Sequence, residues 1–245
     1  THIPASRNTP WPGGPDLPRD YWHTYDPFVA LTAAAAVTTT LKLATGICLI
    51  IQHDPLTLAK QIASLDQLSG GRFLFGIGGG GNVEEIQNHG TAFKTRFRQL
   101  REKVLAMKEI WIQEEAEFHG DFVDFDKIWA YPKPLQQPHP PVIMGGDGPT
   151  TFDRVIEFCD GWMPIQGRPS EGPGLPEKIA ILKQRAARAG RDPESISISV
   201  FSAQPDEANI TRLGEAGVQR AIFALPAAER DVVLPLLDTY AKFIG

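Results

Sequence analysis

Four consecutive glycines, Gly78 to Gly81, follow the short apolar run from Arg72 to Ile77 and precede Asn82. A run without Cβ atoms lets backbone N–H groups come close to a ligand, and Asn82 can cap the next helix with Glu85 at capping-box spacing. Strand, glycine loop and helix start together suit a bound phosphate. Gly76, Gly78 and Gly81 also spell G-x-G-x-x-G. A dinucleotide site, however, needs an acidic residue about 20 positions on, at the tip of the next strand, and here that distance falls near Glu102, inside a helix. Taken alone, the glycines leave a tight structural loop and a phosphate loop equally open.

Other reactive side chains are sparse. His89 and His119 have no second ligand at metal-binding spacing, and no G-x-S-x-G or similar nucleophile motif occurs. Cys48 and Cys159 sit in apolar segments, as reduced core thiols of a cytoplasmic protein would.

The elements that must position the glycines alternate along the chain. Asp26-Pro27 and Asp54-Pro55 each supply an N-cap and a first-turn proline, predicting helices to Val37 and to Leu68. Between them, Leu41 to Ile51 reads as a strand buried on both faces. Phe97, Leu100, Val104, Met107 and Trp111 form the core stripe of a helix from Thr95 to Ile112. Glu117 to Phe125 suggests a small inserted hairpin. Further strands are expected at Val142 to Met144, Gly161 to Ile165, Ile196 to Ser202 and Arg220 to Leu225. Helices are expected from Pro149, over Pro176 to Ala189 and Asp206 to Ala216, and from Ala227 to Phe243 with a kink or break at Pro235. Alternation of this kind implies a parallel sheet with helical crossovers. The sheet has six strands where a TIM (β/α)8 barrel has eight, and such barrels keep their sites at the C-terminal strand ends.

The 245 residues, 42% hydrophobic and 22% charged, suffice for one domain spanning 1–245. Within it, 1–25 is a proline-rich loop expected at the barrel mouth and 114–140 an insertion. A net charge of −5 gives no reason to expect a nucleic acid or an anionic membrane as partner.

Taken in order, several segments resemble the bacterial luciferase-like superfamily, in particular its branch of oxidoreductases dependent on the deazaflavin coenzyme F420. These are Asp26-Pro-Phe, Leu43-Ala-Thr-Gly-Ile, Asp54-Pro-Leu, Leu65-Asp-Gln-Leu-Ser-Gly-Gly-Arg-Phe through Gly-Ile-Gly-Gly-Gly, Glu84-Glu85, Arg96 with Glu102, Pro140-Pro-Val-Ile-Met-Gly-Gly and Asp160-Gly-Trp. The resemblance implies a luciferase-like TIM barrel whose strands three to eight lie here, with β1-α1-β2 expected before Thr1. It implies hydride transfer between reduced F420 and an organic small molecule, or, as the alternative, FMN-dependent monooxygenation. A non-catalytic or truncated relative is a third reading.

The same resemblance implies a cis peptide at Gly46–Ile47, with Gly46, Ile47 and Cys48 against the ring. Gly78, Gly79, Gly80, Gly81 and Asn82, together with Gly145, Gly146 and Asp147, would face the phosphate side. Gln52 and His53 lie past strand three and would face substrate, with His53 a candidate acid or base. His2 lies a couple of residues from the position where relatives carry a histidine beside the cofactor. Relatives are commonly dimers, and a homodimer or the proline-rich arm is expected to cover the open sheet edges.

Overall fold

The computed structural model describes residues 2–5, 7–10, 14, 16–167 and 172–244. The chain divides into two compact units, Thr1–Val142 and Ile143–Gly245.

In the first unit, α1 (Pro27–Val37) starts at Asp26, whose carboxylate accepts from the amides of Phe28 and Val29 at 2.9 and 3.0 Å. Helix α2 (Pro55–Leu68) starts the same way at Asp54, which accepts from Thr57 N. The proline after each aspartate has no N–H to leave unpaired, so cap and proline together satisfy the helix start. The single strand expected over Leu41 to Ile51 is instead two short ones, β1 (Leu43–Ala44) and β2 (Cys48–Leu49), both parallel to β3 (Phe73–Gly78). Ala44 pairs with Leu74 and Cys48 with Ile77, so four steps on one side face three on the other. One extra residue is therefore accommodated as a bulge. Thr45 spans it, donating from its hydroxyl to Gly76 O at 2.7 Å.

The unit continues with α3 (Val83–Asn88), α4 (Arg96–Ile112) and the antiparallel hairpin β4 (Ala116–His119) and β5 (Asp124–Ile128). Every residue of β3 is buried. Leu58 and Ile62 of α2 and Leu100, Val104, Met107 and Trp111 of α4 are buried with it. The apolar spacing of α4 is therefore a core-facing stripe.

Arg72, just before β3, fastens the start of this unit. Its guanidinium donates to Ser69 O, Leu41 O, Ala35 O and Thr38 O, and to the Thr38 hydroxyl, at 2.6–3.1 Å. Ala35 and Thr38 lie at the C-terminal end of α1, where carbonyls lack helical partners and a cation is favoured. One side chain thus joins the end of α1, the approach to β1 and the end of α2 to the root of β3.

The second unit holds four parallel strands in the order β6 (Val142–Gly145), β7 (Gly161–Met163), β8 (Ser197–Phe201) and β9 (Arg220–Ile222). The crossovers are α5 (Thr151–Phe158), α6 (Leu175–Arg188) and α7 (Glu207–Glu215), and α8 (Arg230–Ala241) follows β9. Gly161 is required by close packing, since a Cβ there would stand 2.4 Å from Ser197 Oγ and 2.8 Å from Ser197 O.

Further sequence expectations shift here, and β9 stops at Ile222 rather than Leu225. Helix α5 starts at Thr151 rather than Pro149, because Gly148 N bonds to the Thr151 hydroxyl and Thr151 N to Gly148 O in a preceding turn. Strand β7 stops at Met163, leaving Ile165 to pair singly with Phe201. Helix α8 begins three residues later than expected and runs through Pro235 without breaking. A proline forfeits one helical bond, and the turns on either side carry the helix across.

Replacing Arg72 by Met leaves buried carbonyls without donors. It should lower stability by about 2–4 kcal/mol in denaturant unfolding. Arg72→Lys should recover only part of this, because an ammonium cannot reach the same fan of acceptors.

Candidate cofactor site

The site is built at the ends of β2 and β3. The Gly46–Ile47 peptide is cis, and Ile47 stands 37% exposed. A Cβ on Gly78 would fall 1.9 Å from Ile47 Cδ1, so this isoleucine occupies the space that glycine leaves. A Cβ on Gly79 would meet the Phe97 ring at 2.5 Å. Gly80 has φ +69°, a left-handed conformation that L side chains resist. Gly81 alone in the run is exposed, and a Cβ there would meet nothing within 4 Å. The four glycines thus serve different ends. Two admit the protein's own side chains, one makes the turn and one leaves backbone open.

The start of α3 is largely occupied. Asn82 Oδ1 accepts from Glu85 N at 2.8 Å, as the capping pattern predicts. Val83 N donates to the Thr9 hydroxyl at 3.2 Å. That hydroxyl donates to Glu84 at 2.5 Å, and the amides of Asn8 and Thr9 donate to the same carboxylate at 2.6 and 3.1 Å. These bonds from Thr9 and Asn8 pull the Glu84 pKa down to about 2. The proline-rich arm is therefore latched to α3 at Asn8 and Thr9. His2 lies further along the same helix, Nε2 2.9 Å from Asn88 Nδ2 and its ring 5.3 Å from that of His89.

Beyond β2 the chain turns through residues 50–52. Cys48 is buried, and burial pushes its thiol up to about 12, so it is inert. Gln52 is buried, and His53 lies edge-on to Phe28 with centroids 6.1 Å apart. Burial lowers the His53 pKa. Lys103 Nζ donates to His53 O at 2.7 Å and to Ile51 O at 3.4 Å, and Thr91 Oγ1 also donates to Ile51 O. Lys103 thereby pins the turn carrying Gln52 and His53, with its own pKa lowered by burial.

In the second unit, Gly145 ends β6 opposite Met163. Gly146 adopts φ +101° and accepts from the indole N–H of Trp162 at 2.8 Å. Asp147 is ion-paired with Lys178. No group of three or more His, Cys, Asp or Glu suited to a metal occurs among the described residues.

Phe97, Lys103 and Trp162 are structural partners that the sequence did not single out for the site. Phe97 sits in the helical stripe and reads as core. Nothing in the spacing of Lys103 or Trp162 announces a bond to a distant carbonyl.

The luciferase-like monooxygenase family model matches residues 14–210. The chain belongs to this family. A protein of Mycobacterium tuberculosis described as uncharacterized is 40% identical over 237 residues, covering 94% of this chain and 81% of that protein. An FMNH2-dependent dimethylsulfone monooxygenase of Pseudomonas putida is 33% identical over 140 residues, 56% of this chain and 38% of its own. An F420-dependent hydroxymycolic acid dehydrogenase of M. tuberculosis is 28% identical over 177 residues, 71% of this chain and 48% of its own. Among solved structures, an F420-dependent secondary alcohol dehydrogenase in complex with an F420–acetone adduct superposes with TM-score 0.67 at 19% identity, over 84% of this chain and 80% of that one. The fold is thus α/β of the luciferase-like TIM-barrel class, and the strands described correspond to that barrel without its N-terminal part. No helix among the described residues is long and apolar enough to cross a membrane.

Gly78→Ala should displace Ile47 and cost about 1–3 kcal/mol, whereas Gly81→Ala should cost well under 1 kcal/mol. Ile47→Ala should restore most of what Gly78→Ala loses, which a double-mutant cycle by chemical denaturation reads directly. For the arm, the folded pKa of Glu84 lies below its ordinary value of 4.5. The latch is therefore fully present above that value and released as pH falls toward about 2. Glu84→Gln should mimic the release at neutral pH, seen as faster amide exchange at Asn8 and Thr9.

Proposed function

We propose that this chain is an oxidoreductase moving hydride between reduced coenzyme F420 and a small organic molecule. The observation that carries the reading is Ile47, an apolar side chain left part-exposed beside the cis Gly46–Ile47 peptide and backed by Gly78. A planar ring needs an apolar surface of this kind and loses water on meeting it. When bound, the deazaflavin would supply the hydride.

The remaining work falls to this chain's own residues. Gly46 and Ile47, with the backbone at Cys48, would present the wall on which the ring lies. The loop Gly78–Asn82 offers its backbone to a phosphate at its open end, Gly81, since Val83 N and Glu85 N are already engaged. Gln52 and His53, on the turn pinned by Lys103, would orient the substrate. Because burial lowers its pKa, His53 is neutral at pH 7 and able to take up a proton. His2 would contribute only through the arm that carries it. The donor set holds open glycine backbone and an apolar wall, and a phosphorylated ring suits it.

The FMN reading has its own support, in the 33% identity to the FMNH2-dependent monooxygenase. Equilibrium titration of the protein with F420 and with FMN, followed by fluorescence, tests both. Tighter F420 binding is the expected result, tighter FMN reverses the order, and binding of neither overturns the redox assignment. Ile47→Ala should weaken ring binding by about tenfold, in line with the apolar contact it removes.

A further inference from the structure

Lys103 is a costly residue where it stands. It lies half-buried on α4 beside the core residues Leu100, Val104 and Met107, and no carboxylate pairs with it among the described residues. Burial disfavours its charge, and Asp54 favours it only from beyond ion-pair distance. A neutral side chain would avoid that penalty. What the ammonium does instead is take backbone carbonyls on either side of Gln52, His53 O at 2.7 Å and Ile51 O at 3.4 Å. Thr91 Oγ1 donates to the same Ile51 O at 3.2 Å, and within the turn His53 N donates to Ile50 O at 3.0 Å. The strongest outside hold on this turn therefore falls on the backbone of His53 itself.

The imidazole of His53 has no such hold. It is half-buried, yet neither ring nitrogen makes a hydrogen bond among the described residues. Its ring stands edge-on to Phe28 at 6.1 Å and 85°, and Phe28 is itself buried with its ring 6.4 Å from that of Phe73. A histidine with a hydrogen-bond partner has its tautomer and attitude set by that bond. Here attitude rests on the backbone and on Phe28. The charged and titratable groups that act on the ring are Asp26 at the start of α1, His89 after α3, Lys103 on α4 and the chain's amino group, of which only Asp26 favours its protonation. We propose that Lys103 is a positioning residue for His53, clamping the turn so that the imidazole stays seated against Phe28 with its nitrogens left for a ligand. The proposal rests on the reading in which His53 meets the substrate, and it names the side chain that fixes the geometry of that meeting. A group that exchanges a proton with a substrate has to return to one place at every turnover.

Nuclear magnetic resonance of the histidine rings in the full chain tests this without any ligand. In the wild type the His53 ring protons should be displaced by the ring current of Phe28 and should titrate below 6.5, the ordinary histidine value. Phe28→Leu supplies the position of the same signals without that ring. In Lys103→Met the displacement should collapse most of the way to the Phe28→Leu position, and the titration should move up toward 6.5 as the ring meets more water. Lys103→Arg, which keeps a cation of sufficient reach, should retain most of both. His119, exposed on the hairpin and paired with Asp124, should titrate unchanged throughout and serves as the internal reference. Removing a positive charge by itself also raises the His53 pKa, so the ring current decides. A displacement kept in Lys103→Met overturns the positioning role whatever the titration does, and a displacement absent from the wild type overturns the seating on Phe28. Should Lys103→Met not fold, Lys103→Gln is judged by the same two signals. Failure of both F420 and FMN to bind the wild type overturns the redox reading alone, since neither signal depends on a bound ring.

Discussion

Ile47 and Gly78 compete for one space, and a Cβ on residue 78 would fall 1.9 Å from the tip of the isoleucine. Ile47 leads into β2, whose Leu49 pairs with Gly78 at the end of β3, and its side chain reaches across to the glycine. The consequence spreads along both strands. Cys48 and Leu49 pair with Ile77 and Gly78 one residue out of step with the pairing of Leu43 and Ala44 to Phe73 and Leu74. The bulge gives the chain the slack to turn Ile47 outward while Cys48 stays in the core. With Phe97 likewise pressed on Gly79, the glycine run is first a requirement of packing and only at Gly81 an open surface. Close packing of this order leaves little freedom for the turn, which suits a site that must hold its shape.

Around that contact, cations are used mainly to terminate backbone. Arg72 gathers carbonyls from two helix ends, Lys103 holds Ile51 and His53, and Lys133 donates to Ile110 O and Gln113 O at 2.6 and 2.5 Å. Each lies where a helix or strand leaves acceptors without partners. Arg96 differs in kind, since it sits at a helix start and has acceptors for only part of its guanidinium.

Much of the fold was legible because the signals are local. Asp26-Pro27, Asp54-Pro55 and Asn82 with Glu85 each mark a helix start that the backbone adopts, and the period of α4 marks its buried face. Divisions that depend on partners distant in the chain were not legible. The run Leu41 to Ile51 is apolar but for Lys42, Thr45 and Gly46, and although Gly46 allows a bulge, its spacing does not say that pairing lapses from Ala44 to Cys48. The site divides along the same line. A cis bond at Gly46–Ile47 follows from family resemblance and is present, whereas the reason for glycine at 78 and 79 lies in side chains from β2's approach and α4. Spacing could not separate a glycine that admits a ligand from one that admits a phenylalanine.

The hairpin of β4 and β5 pairs with no other strand, and its tip is tied by Glu102, whose carboxylate accepts from the amides of Phe122 and Val123 at 2.7 and 3.3 Å. Gly120 lets that carboxylate in, since a Cβ there would stand 2.5 Å from its oxygen. The ribbon is moored to α4 by that carboxylate and by the Arg98–Asp121 ion pair, and it buries Ala116 and Val123, yet its exposed positions can change in charge or sequence without disturbing the parallel strands. It is the part of this unit on which surface traits can diverge while the chemistry stays put.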